Sequence, residues 1–159
     1  MAVNTQSRVS HGKHIRLFLC LVLCLLASLT SANAVAAEQK FGDYIVHYNA
    51  FASDFLSPEI ATHYGITRSR NLAILNISVQ QKTPDGKRVA VAANVTAEAT
   101  NLFQKLTALD LRQVNDGDAI YHLAEFKINN GQNIDFQITL SIAEQSIGTI
   151  NFKQQFFTD

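Results

Sequence analysis

From residue 133 onward the chain alternates. Ile134, Phe136, Ile138, Leu140 and Ile142 fall on one parity, and Asp135, Gln137, Thr139 and Ser141 on the other. Successive side chains of a strand point to opposite faces, so this pattern predicts a half-buried β-strand over 133–142. The same period of two, with enrichment in Ile, Val, Phe and Thr, predicts strands over 41–51, 71–81, 88–98, 103–113, 118–127 and 149–157. Residues 118–127, 133–142 and 149–157 read as an antiparallel meander. Asn130-Gly131 is its first hairpin turn, since both residues tolerate positive φ. Pro84-Asp85-Gly86 predicts a second reversal, between 71–81 and 88–98, because Pro84 presets φ and Gly86 permits the turn. Val89, Val91, Ala93, Val95 and Ala97 share one face and are small, which favours close approach of a neighbouring layer. Near Tyr44-Ile45-Val46 both parities are apolar or aromatic, so part of the first strand is expected to be covered twice.

Residues 49–70 break this rhythm. Ser57 can cap a short helix, Pro58 suits its first position and Glu59 its first turn, and Gly65 is placed to end it. One or two helical turns closing an end of the domain are expected there. About seven strands and one short helix predict an all-β, immunoglobulin-like antiparallel β-sandwich, with a small β-barrel as the alternative. A helix within the Ala-rich residues 89–111 is the competing local reading, and alternation favours strand at 89–97.

The amino terminus alters the picture. Arg8, Lys13 and Arg16 precede an uncharged apolar run over 17–29, followed by small residues around Ala32-Asn33-Ala34. This is the three-part pattern of a secretory signal peptide, with cleavage expected after Ala34 or, alternatively, after Ala36. The apolar run is too short to span a bilayer, which needs about 20 residues. Residues 1–34 are therefore expected to be removed, leaving one domain over 35–159 that does not stay inserted in the membrane. Both cysteines, Cys20 and Cys24, lie in the leader, and residues 35–159 contain none. Thiol catalysis and iron–sulfur ligation are excluded for the mature domain. The neutral formal charge of the full chain becomes ten basic against thirteen acidic residues. That balance argues against a nucleic-acid partner.

Catalytic motifs are equally absent. No G-x-S-x-G elbow, phosphate loop, H-E-x-x-H pair, EF-hand loop or C-x-x-C occurs. Nothing calls for a cofactor. His47 and His122 could form a two-histidine metal site only if neighbouring strands bring them together with an acidic side chain. Ordinary polar roles, or for His122 a buried core histidine, are the competing reading. Arg68 and Arg70 form the one tight basic pair mid-chain, suited to clamping a carboxylate or phosphate. Salt bridges to Asp54 or Glu59 that hold the loop down explain them equally well. With Tyr48, Tyr64 and Tyr121 they make up the candidate ligand site. Phe156 and Phe157 point to opposite faces of the last strand, which could accept another strand if it lies at an edge.

Several segments together carry a family resemblance. They are Tyr44-Ile45-Val46-His47-Tyr48, Ser57-Pro58-Glu59-Ile60-Ala61, Tyr64-Gly65-Ile66-Thr67-Arg68, Asp118-Ala119-Ile120-Tyr121-His122 and the closing Gln155-Phe156-Phe157-Thr158-Asp159. The chain resembles the family known as domain of unknown function 4426, small exported proteins of gammaproteobacteria. The resemblance implies a periplasmic location and no established activity, cofactor or partner.

Three functions follow as expectations. The first is a non-catalytic periplasmic or secreted binding or accessory protein, whose target is an envelope protein, a peptide or a small ligand. The second is a small hydrolase or metal-binding protein using His47 and His122. The third is a structural envelope subunit that associates through an edge strand.

Overall fold

The computed structural model describes residues 37–103 and 105–158. The leader expected over 1–34 lies outside the described residues. β2 (Tyr44–Ala52) is the first expected strand, and β1 (Ala37–Phe41), which the alternation does not announce, pairs with it as a hairpin. A 3-10 turn (Ser53–Phe55) and helix α1 (Pro58–Tyr64) follow. Eight more strands complete the chain: β3 (Leu72–Lys82), β4 (Arg88–Ala90), β5 (Asn94–Asn101), β6 (Leu106–Ala108), β7 (Arg112–Asp116), β8 (Ala119–Lys127), β9 (Gln132–Ile142) and β10 (Gln145–Phe156).

All pairings are antiparallel. The larger sheet runs β1-β2-β3-β8-β7, with β4 also on β3, and the smaller runs β10-β9-β5-β6. The protein is thus an antiparallel β-sandwich, of the class the alternation predicts. Val46, Leu75, Ile77 and Val79 of the larger sheet meet Phe136, Ile138, Leu140 and Ile150 of the smaller in one buried core.

Two sequence expectations are corrected. Asn130-Gly131 is not a hairpin, because β8 belongs to the larger sheet and β9 to the smaller. The turn is real, with Gly131 at φ 68° and Gln132 N–H donating to Asn129 C=O. Ile128, buried just before it, sits in the core as the chain passes between sheets. The expected strands 88–98 and 103–113 also divide, into β4 and β5 and into β6 and β7, at the two other crossings. Alternation reports which side chains go inside, and both sheets share one inside, so it does not say when a strand changes sheet. The Pro84-Asp85-Gly86 reversal does join β3 to β4 as a hairpin.

The helix has the expected ends. Ser57 Oγ accepts from Ile60 N–H at 3.3 Å, and Gly65 adopts φ 62° and ψ 40°, the left-handed cap. Its position differs from the expectation. Rather than closing an end, α1 lies over the outer face of the larger sheet, where Ala61 and Ile66 pack with Ile74 and Leu123.

At one margin of the sandwich, the Phe41 ring sits where a Gly148 side chain would be. A Cβ there would lie 2.3 Å from the ring. Gly148→Ala is therefore expected to lower stability by about 1–2 kcal/mol through overpacking. Thermal melting checks this, and an unchanged midpoint would show that the ring moves aside without loss.

Candidate functional site

β2, β3 and β8 present their second face to α1. The register places Phe51 opposite Ile74, Asn76 opposite Leu123, and His47, Ser78 and Tyr121 in one row. Apolar residues on this face, namely Phe51, Ile74 and Leu123, need cover of their own. The 53–70 segment provides it with Leu56, Ile60, Tyr64 and Ile66. The cover is incomplete: a cavity of about 170 Å³ remains between the two layers, with Asn76 and Tyr121 completing its lining.

The segment is held down by polar groups at its base and far end. Ser53 Oγ lies 2.8 Å from Thr67 C=O and 3.0 Å from Ser69 C=O, and accepts from Ser69 N–H at 2.9 Å. Glu125 accepts from Thr67 N–H. At the end of α1, Tyr64 O–H donates to Asp116 at 2.6 Å, and Arg112 donates to Tyr64 C=O. The hydrogen bond to Asp116 comes first in pushing the Tyr64 phenol up to about 12, with burial and the Asp116 charge adding to it. Tyr64 is thereby kept protonated as a donor and is no nucleophile near neutral pH.

The structure divides the candidate ligand residues. Tyr64 and Tyr121 do come together, with ring centroids 6.2 Å apart at 76°, and both line the cavity. Tyr48 points the other way, into the sandwich, with its ring 4.9 Å from Phe152. Arg68 donates to the carbonyls of Leu56 (2.7 Å) and Asp54 (3.0 Å), and Arg70 lies 4.0 Å from the Asp54 carboxylate. Both arginines brace the segment, and neither lines the cavity.

His47 and His122 do not form a common site. His47 shares the outer row with Tyr121, whereas His122 stands opposite Ile77 on the inner face. The odd separation of their register positions puts the sheet between them. His47 instead lies 3.2 Å from Gln80 Oε1 and 3.9 Å from Glu38. Among the described residues no three His, Cys, Asp or Glu side chains are gathered as a metal site.

His122 is buried and bonds through Nε2 to Ala93 C=O at 3.1 Å, tying the larger sheet to the crossing between β4 and β5. A carbonyl only accepts, so Nε2 carries the proton, and Nδ1 finds no hydrogen-bond partner among the described residues. Burial drives its pKa below the ordinary value, against the opposing pull of the Ala93 and Ile77 backbone. The unfolded chain therefore binds this proton first as pH falls. Stability from neutral His122 is complete above about pH 6.5 and declines below it, by at most about 1.4 kcal/mol per pH unit. His122→Gln keeps a donor for Ala93 and removes the titration. Urea unfolding at pH 7 and 5.5 is expected to show a smaller loss in the variant, and equal losses would refute the assignment.

Residues 38–159 match the family model described as Domain of unknown function (DUF4426). The chain belongs to this family. A crystal structure of a DUF4426 family protein from Pseudomonas aeruginosa is 35% identical, with a TM-score of 0.65 over 78% of this chain and 96% of that one. A copper-bound variant of FetP from uropathogenic Escherichia coli shares the fold at 8% identity, with a TM-score of 0.51 over 77% of this chain and 95% of that one. No curated protein sequence matches the chain.

Proposed function

We propose that the protein is a non-catalytic binding or accessory module of the cell envelope, exported by its leader and working through the cavity beneath α1. The carrying observation is the cavity itself: a concave apolar site with a few polar groups, formed where a loop segment meets a rigid sheet. Phe55 and Ile60 on the same segment are 80% and 46% exposed, more apolar surface than a loop needs for its own packing. The nearby polar groups support binding over catalysis, since Tyr64, Asp116, Arg68 and Arg70 are all engaged in holding the segment. FetP is described as copper-bound, but its likeness extends to the fold alone. The separation of His47 from His122 gives no support for carrying copper over.

Export is supported by the leader pattern and by family membership. No helix among the described residues is long and apolar enough to cross a membrane. Fractionation and amino-terminal sequencing test this part, with a first residue of Val35 or Ala37 expected. Cleavage at either place leaves β1 whole. A chain beginning at Met1 would overturn export. Binding is tested by amide-shift mapping with the small-molecule and peptide fractions of a periplasmic extract. Perturbations confined to Leu56, Ile60, Tyr64, Tyr121 and their neighbours are expected. Their absence, or scatter over the smaller sheet, would overturn the reading.

One observation favours assembly as a second reading. β10 stands at the edge of the smaller sheet, is twelve residues long, and can offer unpaired backbone groups to another strand. Sedimentation velocity at rising concentration tests it, and a monomer throughout would overturn self-association.

A further inference from the structure

The two ends of the sandwich differ in character. The register sets the last residues of β2 and β8 beside the first of β3, and the last residues of β5 and β10 beside the first of β9. β8 runs directly into β9, so all these strand ends lie together at one end. Five of the seven large apolar residues that stand exposed among the described residues belong to it. Phe55 follows β2, Phe157 follows β10, Leu102 and Phe103 stand in the turn after β5, and Leu106 opens β6. Phe103 is the most exposed of them at 90%. Its turn is held in shape by Asn101, whose Oδ1 accepts from Phe103 N–H at 3.0 Å and Lys105 N–H at 3.1 Å. Phe157 is kept at this end by Thr158 N–H, which donates to Asn130 Oδ1 at 3.2 Å.

Charge divides along the same axis. Among the described residues outside α1, the connections at the apolar end carry Arg68, Arg70 and Lys105 against Asp54, and Lys127 closes β8 beside them. The turns at the opposite end, residues 42–43, 83–87, 117–118 and 143–144, carry Asp43, Asp85, Asp118 and Glu144 against Lys87. An anionic surface therefore attracts the apolar end and repels the other. The apolar side chains are also spaced rather than joined. β9 separates β10 from β5, so the strand ends bearing Phe157 and Leu102 are about 10 Å apart. A protein partner has to match such separate points in shape. A lipid surface takes each side chain on its own, while cations between them meet phosphates.

We propose that this end of the sandwich docks on an anionic phospholipid surface. Leu102, Phe103 and Phe157 enter the boundary between headgroups and acyl chains, and Lys105 and Lys127 meet phosphates. The attachment is peripheral and reversible, since even a whole myristoyl chain binds only marginally. The cavity under α1 plays no part in it, as none of these residues lines that space. The test is flotation of the exported protein, freed of its leader, with two kinds of vesicle. One holds equal parts of phosphatidylglycerol and phosphatidylcholine, and the other phosphatidylcholine alone.

Partition onto the anionic vesicles is expected to exceed that onto the neutral ones by roughly ten- to thirtyfold, the worth of two lysines at such a surface. Added salt should narrow the difference. Leu102→Ser combined with Phe103→Ser should reduce partition at least about tenfold. Both side chains are largely exposed, so the melting temperature should hold. The chain has no Trp, so Phe103→Trp supplies a single reporter. Its emission should shift to the blue on anionic vesicles, while that of Val89→Trp, on β4 at the opposite end, should not. Partition onto neither vesicle would overturn the inference and leave the tip to a protein partner. Equal partition onto both, partition unchanged by the double substitution, or an equal shift from Val89→Trp would each overturn it as well. The cavity is decided separately, by the extract mapping described above.

Discussion

Phe136→Ala is expected to remove about 3–5 kcal/mol of unfolding free energy. The ring is buried at 2% exposure and lies face to face with Phe152, with centroids 4.8 Å apart at 16°. It also meets Phe126 edge-on at 5.5 Å and Phe156 at 6.4 Å. Phe126 belongs to the larger sheet and the other three to the smaller, so Phe136 sits at the joint between the layers. Residues 35–159 have no cysteine to staple the sheets and no Trp to fill the space. Aromatic packing therefore carries what a disulfide and an indole carry in other sandwiches. The cavity left by alanine would not collapse easily. The residue paired with Phe136 on β5 is Ala99, and Ala97 lies two positions before it. Neither can reach into the gap. Urea unfolding measures the loss, with Phe157→Ala as its counterpart. That ring is 64% exposed, and its removal should change stability by no more than about 0.5 kcal/mol. A loss below about 1 kcal/mol for Phe136→Ala would mean that the layers join elsewhere.

The residues announce the elements far better than their assembly, and the helix shows why. Ser57, Pro58 and Gly65 each act through the backbone within a few residues, so their effect is local and legible. Sheet membership is not local. Residues 88–98 alternate without a break in parity, yet the chain leaves one sheet and enters the other between Ala90 and Asn94. The candidate site failed and succeeded on the same ground. Residue type groups Tyr48 with Tyr64 and Tyr121, but its parity matches Val46 and Ala50, which face the core. Tyr121 has the parity of Leu123, which faces α1. The cavity walls had a signal in the sequence: β3 is apolar at Ala73, Ile74, Leu75 and Ile77, on both parities, as β2 is near Ile45 and Val46. A strand apolar on both faces must be covered on both. The second cover comes from residues 53–70, the longest stretch between described strands.

Ser53→Ala is expected to cost about 2–3 kcal/mol, with its effect concentrated on the segment over the cavity. Ser53 has no solvent exposure, and one hydroxyl serves three backbone groups of residues 67–69. It closes the loop that carries Leu56, Ile60, Tyr64 and Ile66. A methyl in its place takes a partner from those groups beside a fully buried side chain, so they regain partners only if water enters or the loop lifts. Lifting is the easier course, because the other polar ties are exposed and individually weak: Arg68 to the Leu56 carbonyl, Arg70 to Asp54, Thr67 to Glu125, Tyr64 to Asp116 and Arg112 to the Tyr64 carbonyl. Hydrogen exchange should then show faster amides over residues 60–69, with β9 protected as before. Unchanged protection over those residues would place the closure of the loop elsewhere. A ligand of the cavity touches both the segment and the sheet and binds only the closed form. Its addition should restore protection to Ser53→Ala by more than it adds to the unmodified protein, whose loop is already shut.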